Sequence, residues 1–213
     1  MPLYAPSLPP SAGIWIIEES EDALLSFLSR RNEYATFLAG IKNEGRRREW
    51  LAVRVLLKTM LGREVVVEYE PGGAPRIAGR NDISISISHT RGYAAVSVGK
   101  NGPAGIDIEY RSDRALKVSA RFLHPVENEF INPLRPDDHV TACWCVKEAM
   151  YKIIGKGDTD FGRRFRISPF PLEDAGVVCA VDTRNPGRGA MRFYYRISRY
   201  FVMACFLDSS VMA

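Results

Sequence analysis

The sequence predicts an α+β fold of two similar halves, each a helix packed on a small antiparallel sheet. In each half, a long segment with helical periodicity comes before several short strand-like segments. This order is expected when helices pack on antiparallel sheets. The run Asn101-Gly102-Pro103 is a turn sequence, and we place the boundary between residues 1–100 and residues 101–213 there.

The helices are predicted from the spacing of apolar residues and from end signals. Trp50, Val53 and Leu57 recur at helical spacing, which gives a helix over Arg46–Leu61 that ends at Gly62. The remaining predicted elements are a helix that begins after Ser20, a helix over His139–Ile154, and strands at Glu64–Tyr69, Ile83–Ser88, Tyr93–Val98, Arg164–Ile167, Val177–Val181, Arg192–Ile197 and Phe201–Leu207.

The composition is that of a globular protein with a mild basic charge. Of the 213 residues, 46% are hydrophobic and 25% are charged, which is enough apolar surface to form a core. The net charge of +4 is far from the strong bias of a typical nucleic-acid binder. It suits a phosphate-bearing ligand or an acidic protein. We therefore expect no nucleic acid as a partner, and we expect a monomer.

No sequence feature indicates secretion or a membrane span. Residues 1–10 lack a basic start and an apolar signal core, and no run approaches the roughly 20 apolar residues that a span needs. The four cysteines, Cys143, Cys145, Cys179 and Cys205, have no zinc-site spacing. We interpret them as reduced core residues of a cytoplasmic protein.

The segment Gly105–Glu109 places two carboxylates on one face of a predicted strand. Asp107 and Glu109 alternate with Ile106 and Ile108, and alternate residues of a strand point the same way. Adjacent like charges repel unless something neutralises them, and Mg²⁺ prefers carboxylate oxygen. By itself the pattern fits either a magnesium site or a solvated strand edge.

Glu148 and Lys152 lie four residues apart on the second long helix and share a face. That spacing by itself predicts a surface ion pair that contributes roughly 0.3–0.5 kcal/mol. Trp144, one turn earlier on the same side, indicates instead that this face is at least partly covered.

Two further groups of residues could contact phosphate. The segment Ser86–Thr90 carries hydroxyls around His89 at a strand end, where a histidine either donates to a phosphate or serves the structure as a cap. Arg47, Arg54 and Lys58 share one side of the first long helix and form a cationic stripe.

Together these segments resemble 4′-phosphopantetheinyl transferases of the two-domain type that activates peptide synthetases and other carrier proteins, the surfactin and enterobactin group. That family shows G-x-D-x-E, then W-x-x-K-E-x-x-x-K, with S-H-S/T upstream of both. Here the motifs read Gly105–Glu109, Trp144–Lys152 and Ser88–Thr90. The segment from Arg121 to Glu127 resembles the family's R-F-F/L…E segment, and Gly155-Lys156-Gly157 resembles its G-K-G loop.

The resemblance implies transfer of the 4′-phosphopantetheine arm of coenzyme A to a serine of an apo acyl-, peptidyl- or aryl-carrier protein, with release of 3′,5′-ADP. Asp107, Glu109 and Glu148 would hold Mg²⁺, and Glu148 and Lys152 would be the catalytic residues. Residues 1–100 would supply a basic cofactor-binding helix and residues 101–213 the metal-binding motifs, with the active site between them. The cofactor-binding residues would be Arg47, Arg48, Arg54, Arg76, Ser88, His89 and Lys152.

Two positions depart from the family pattern. Many members have G-K-P where this chain has Gly-Ala-Pro at 73–75, so the lysine that would touch the cofactor is absent and Arg76 is the nearby candidate to replace it. The first long helix offers Arg47, Arg48 and Arg54 for the 3′-phosphate of coenzyme A, and the sequence leaves the choice among them open.

Two other classes of protein share part of this pattern. A metal-dependent nuclease also combines carboxylates with a lysine, but its core usually has Glu-x-Lys on strands shortly after the aspartate, and Lys152 lies on a helix far downstream. A non-catalytic module that binds nucleotides or carrier proteins would keep a basic helix without needing three carboxylates. The joint presence of Asp107, Glu109 and Glu148 favours an enzyme.

Overall fold

The computed structural model describes residues 3–4, 8–155 and 160–207. The chain divides into two compact units, Met1–Asn101 and Gly102–Ala213. Each unit contains one five-stranded sheet in which all pairings are antiparallel, together with helices. The α+β class and the two similar halves are therefore confirmed.

The first unit has the strand order β1-β5-β4-β3-β2. Ser20 caps its first helix by accepting a hydrogen bond from the Ala23 amide at 3.2 Å, and Gly62 ends its long helix with a φ of 70°, both as predicted. The elements are α1 (Glu21–Ser26), α2 (Arg31–Leu38), α3 (Glu44–Leu61), β1 (Ala12–Ile16), β2 (Val67–Tyr69), β3 (Pro75–Ile77), β4 (Ile83–Thr90) and β5 (Tyr93–Lys100).

The second unit has the strand order β6-β10-β9-β8-β7, so β6 is an edge strand. Short 3₁₀ turns cover Ser119–Arg121, Pro125–Phe130 and Pro186–Arg188. The elements are α4 (Arg114–Lys117), α5 (Pro136–Ile154), α6 (Phe161–Arg164), β6 (Ile106–Tyr110), β7 (Phe165–Ile167), β8 (Ala175–Asp182), β9 (Met191–Ile197) and β10 (Phe201–Phe206).

The glycine before β6 lets helix α5 approach this strand closely. A Cβ atom at Gly105 would lie 2.5 Å from the carbonyl oxygen of Ala149 and 2.6 Å from the side chain of Ile153. Any larger residue would therefore push the strand and the helix apart. This close contact places the carboxylates of β6 beside the side chains of α5.

A buried ion pair connects α5 to the segment before it and to the strand that follows. Lys147 and Glu127 are 0% and 1% exposed, and Lys147 Nζ lies 2.6 Å from a Glu127 carboxylate oxygen. Lys147 also donates to the carbonyl oxygen of Phe122, while Glu127 accepts from the amides of His124 and Ile167. Each buried charge is thus neutralised and hydrogen-bonded, as burial requires.

All four cysteines are free thiols. Cys143, Cys145 and Cys205 are buried, as expected, whereas Cys179 is partly exposed, so its assignment to the core was wrong. Burial raises the pKa of the Cys143 and Cys145 thiols well above the ordinary value and that of Cys205 to about 12. Across the described ranges, no helix combines the length and the apolar character that crossing a membrane requires.

Candidate active site

Strand β6 presents Asp107 and Glu109 on the same side of the sheet edge. The two residues pair with Ala204 and Val202 of β10, so the strand alternation predicted from the sequence is present. Asp107 is only 6% exposed, and Glu109 is partly buried. The alternative of a solvated strand edge therefore does not hold for Asp107.

Helix α5 supplies the partners of both carboxylates. Lys152 Nζ lies 2.9 Å from Asp107 Oδ1 and donates to the carbonyl oxygen of Ile106 at 2.8 Å. Trp144 Nε1 donates to Glu109 Oε1 at 3.1 Å. Lys152 thus connects α5 to β6 by hydrogen bonds, unlike a solvated side chain on the surface of a helix.

The three carboxylates affect one another's protonation. Burial, followed by the charge of Asp107, raises the pKa of Glu148 to about 7, and Glu109 adds to the effect while Lys152 opposes it. The pKa of Glu109 is also raised, first by burial and then by the charge of Asp107, against the hydrogen bond from Trp144. Asp107, Glu109 and Glu148 therefore share one electrostatic site on β6 and α5.

The chemistry of this donor set fits a magnesium ion, although the side chains are not arranged around one. Among the residues that the structure describes, no three histidine, cysteine, aspartate or glutamate side chains form a group that could hold a metal. Trp144 and Lys152 hold Glu109 and Asp107 in their present positions. Three mutually repelling carboxylates nevertheless supply the hard oxygen ligands that Mg²⁺ requires.

A cavity of about 220 Å³ opens beside Glu109. Its polar lining combines two arginines with three hydroxyl groups and the indole that holds Glu109, so it can accept a polar or anionic substrate group. These polar lining residues are Glu109, Tyr110, Ser112, Arg114, Arg121, Thr141 and Trp144.

The first unit contains a second cavity, of about 300 Å³, which joins the start of α3 to the turn at 73–75 and the end of β4. Cations and apolar groups lie side by side in it, as a nucleotide would need. Its lining includes Ile41, Arg46, Glu49, Trp50, Arg54, Tyr69, Pro75 and His89.

Two of the predicted cofactor-binding residues, Arg54 and His89, line this second cavity. Arg54 is 4% exposed, its guanidinium lies 3.3 Å from the ring centroid of Trp50, and burial lowers its pKa. Ser88, also predicted, precedes His89 on β4 and so faces the opposite side of the strand.

The other predicted arginines of this unit have partners elsewhere. Arg47, Arg48 and Arg76 are not among the lining residues of the cavity as the described chain forms it. Each forms an ion pair with a glutamate of its own unit: their partners are Glu21, Glu44 and Glu68, at 2.6, 3.7 and 2.5 Å, respectively. Lys156 and Gly157, of the predicted G-K-G loop, lie outside the described residues.

Arg46 is a lining residue that the sequence argument missed. Its Nη1 lies 3.1 Å from both ring nitrogens of His89 and 3.2 Å from Glu49 Oε2. Arg46, Trp50 and Arg54 are spaced by four residues and follow one side of α3. That spacing is visible in the sequence, but the predicted cationic stripe ran through Arg47, Arg54 and Lys58 and did not include Arg46.

Comparison with known proteins finds similarity in the unit that contains this site. The model of the 4′-phosphopantetheinyl transferase superfamily matches residues 103–201, which contain Asp107, Glu109, Glu148 and Lys152. A 4′-phosphopantetheinyl transferase named gsp, from Aneurinibacillus migulanus, is 33% identical over 79 residues, or 36% of this chain and 33% of that protein. A 4′-phosphopantetheinyl transferase from Bacillus subtilis is 32% identical over 88 residues, or 40% of this chain and 39% of that protein.

The matched segments span between a third and two fifths of these relatives' own length. The residues that match the family model fall on the unit in which the carboxylates of β6 meet α5. The motifs at Gly105–Glu109 and Trp144–Lys152 lie within them, whereas Ser88–Thr90 lies upstream. Residues 103–201 of this chain are therefore similar to the 4′-phosphopantetheinyl transferase superfamily.

Proposed function

We propose that the chain is a magnesium-dependent 4′-phosphopantetheinyl transferase of the two-domain type. It moves the phosphopantetheine arm of coenzyme A to a serine of an apo acyl-, peptidyl- or aryl-carrier protein and releases 3′,5′-ADP. The observation that carries this proposal is the site formed by Asp107, Glu109, Glu148 and Lys152, within the residues that match the superfamily. Two proteins of that name share about a third of the aligned residues.

Asp107, Glu109 and Glu148 would hold the Mg²⁺, which when bound supplies positive charge to the pyrophosphate and its leaving oxygen. Lys152, beside Asp107, adds a second cation for the reacting phosphate. Glu148, which would lie beside the metal, is the candidate base to take the proton of the serine hydroxyl.

The reaction exchanges one phosphorus–oxygen bond for another. The serine oxygen bonds to the phosphorus that carries the pantetheine, and the bond from that phosphorus to the bridging oxygen breaks. The bridging oxygen keeps the electron pair and leaves with 3′,5′-ADP. The proton of the serine goes to Glu148.

The cavity beside α3 suits the 3′-phosphate and the adenine of coenzyme A. Arg46, Arg54 and His89 provide donors for the phosphate, and arginine can bind a phosphate with two parallel hydrogen bonds. Tyr69 and Pro75 provide apolar walls for the base. We therefore assign the 3′-phosphate to Arg46 and Arg54 in place of Arg47, Arg48 and Arg76.

The test is incubation with coenzyme A, Mg²⁺ and a panel of apo-carrier proteins, followed by intact mass measurement. We expect one carrier to gain the mass of the arm, and chelation or Asp107→Ala to abolish the gain. Asp113→Ala is the matched control, because Asp113 is an exposed carboxylate paired with Lys117. Coenzyme A binding without transfer to any carrier would favour the binding-module alternative, and cleavage of plasmid DNA would favour a nuclease.

We further propose that the protein is monomeric and lies in the cytoplasm. The four free thiols support a reducing compartment, and sedimentation equilibrium would detect any self-association.

A further inference from the structure

A carboxylate stands among the cations of the α3 cavity. Glu49 Oε2 lies 3.2 Å from Arg46 Nη1 and 3.3 Å from His89 Nδ1. The Glu49 side chain is 18% exposed, so water screens these contacts only in part. Arg54 lines the same cavity but has a different environment, because it stacks on Trp50 and donates to the carbonyl oxygen of that residue.

We propose that Glu49 is a built-in counter-anion that competes with the 3′-phosphate of the ligand for Arg46 and His89. The inference rests on the proposed function and deepens it, because it states how strongly this cavity holds its ligand. Arg54 provides a constant attraction, whereas the attraction from Arg46 and His89 is reduced by the internal carboxylate.

Glu49 and the phosphate are both anions, and both use Arg46 and His89 as partners. An incoming phosphate must displace Glu49 from Arg46 and His89 or bind beside it, and in either case it meets a like charge at short range. Coenzyme A and 3′,5′-ADP both carry the 3′-phosphate, so attraction at this point binds substrate and product alike and does not favour the transition state. Weaker attraction therefore shortens the residence time of the product, whose release limits many enzymes.

The test uses two nucleotides that differ only in the 3′-phosphate, 3′,5′-ADP and 5′-AMP. Their affinities are measured by calorimetry at low ionic strength for the unmodified chain and for Glu49→Gln, which keeps the size and a hydrogen-bond acceptor but removes the charge. We expect Glu49→Gln to bind 3′,5′-ADP about fivefold more tightly, with 5′-AMP unchanged.

Glu33→Gln is the matched control. Glu33 also pairs with an arginine three residues earlier, Arg30, but it does not line the cavity. We expect it to leave both affinities unchanged. In the background of Arg46→Gln, the gain from Glu49→Gln should shrink, because one of the two donors under competition is gone.

The outcomes separate this inference from the proposed function. If the unmodified chain binds the two nucleotides equally, the phosphate site itself is overturned. If it prefers 3′,5′-ADP but Glu49→Gln leaves that affinity unchanged or weakens it, only the inference is overturned. A weakened affinity would show that Glu49 orients Arg46 and His89. Thermal melts of each variant show that the folded protein is being measured.

Discussion

At the scale of the single residue, Glu148 shows how the surroundings of a carboxyl group change its pKa. Burial and the neighbouring Asp107 raise its pKa to about 7, so the folded protein holds a proton that the unfolded chain releases at a lower pH. Folding therefore takes up a proton between the ordinary value of a glutamate and pH 7. The free energy of unfolding falls as the pH rises through this window.

The first prediction is that Glu148→Gln abolishes transfer without loss of stability. Loss of the proposed base and metal ligand should lower turnover by about 10²-fold or more. At pH 8 the variant should melt at a higher temperature than the unmodified chain, because it carries no buried charge, and at pH 4 the two should melt alike. Transfer assays and circular dichroism melts at both pH values measure this.

Near-normal transfer by Glu148→Gln would show that the reacting group lies elsewhere. A lower melting temperature at pH 8 would show that the charged carboxylate stabilises the fold. The first result would contradict the proposed catalytic role of Glu148, and the second would contradict the destabilising effect of its buried charge.

The proximity of the four residues on β6 and α5 could be predicted from the sequence, whereas the lining of the cavity beside α3 could not. Asp107, Glu109, Glu148 and Lys152 belong to patterns with a fixed spacing on one strand and one helix, and the structure places them together. The position of Arg46 in the cavity is defined by its contact with His89, which lies 43 residues downstream. No local pattern predicts that these two side chains meet, because their contact depends on how α3 packs on the first sheet.

At the scale of the element, the long helices and most strands were predicted, but two strands of the first sheet were missed. Helix α5 and the strands after it lie within a few residues of their predicted bounds. Strands β1 and β3 were missed, because β1 follows a proline-rich segment and β3 has three residues and begins at Pro75. Pairing with a neighbouring strand stabilises such segments, and their own sequence carries little of that signal.

The second prediction concerns the ion pair that fastens α5. Lys147→Met leaves Glu127 buried without its cation, which should lower the free energy of unfolding by about 3–5 kcal/mol. Lys117→Met is the control, because Lys117 forms an exposed pair with Asp113 and should change stability by less than about 0.5 kcal/mol. Urea unfolding of both variants measures the difference, and equal small losses would show that the buried pair is dispensable.

At the scale of the whole molecule, each unit has its own hydrophobic core. One core gathers around α3 and the first sheet, and the other around α5 and the second sheet. Any ligand that binds only the folded chain stabilises it according to its concentration and affinity. Thermal stability therefore reports ligand binding independently of transfer.

The third prediction is that coenzyme A raises the melting temperature more than dephospho-coenzyme A at equal concentration. The 3′-phosphate adds the attraction of Arg46 and Arg54, so the shift should be larger when it is present. Arg46→Gln should bring the two shifts closer together. Equal shifts in the unmodified chain would mean that the cations of the α3 cavity do not bind this phosphate.

The buried thiols have a consequence for a protein that handles a thiol ligand. Coenzyme A ends in a thiol, and its oxidised form exchanges with protein thiolates to give mixed disulfides. Cys143, Cys145 and Cys205 hold almost no thiolate at neutral pH, because burial raises the pKa of each. Oxidised coenzyme A, the oxidised form of the proposed ligand, therefore finds no thiolate at these three positions, and the folded chain should not form mixed disulfides there.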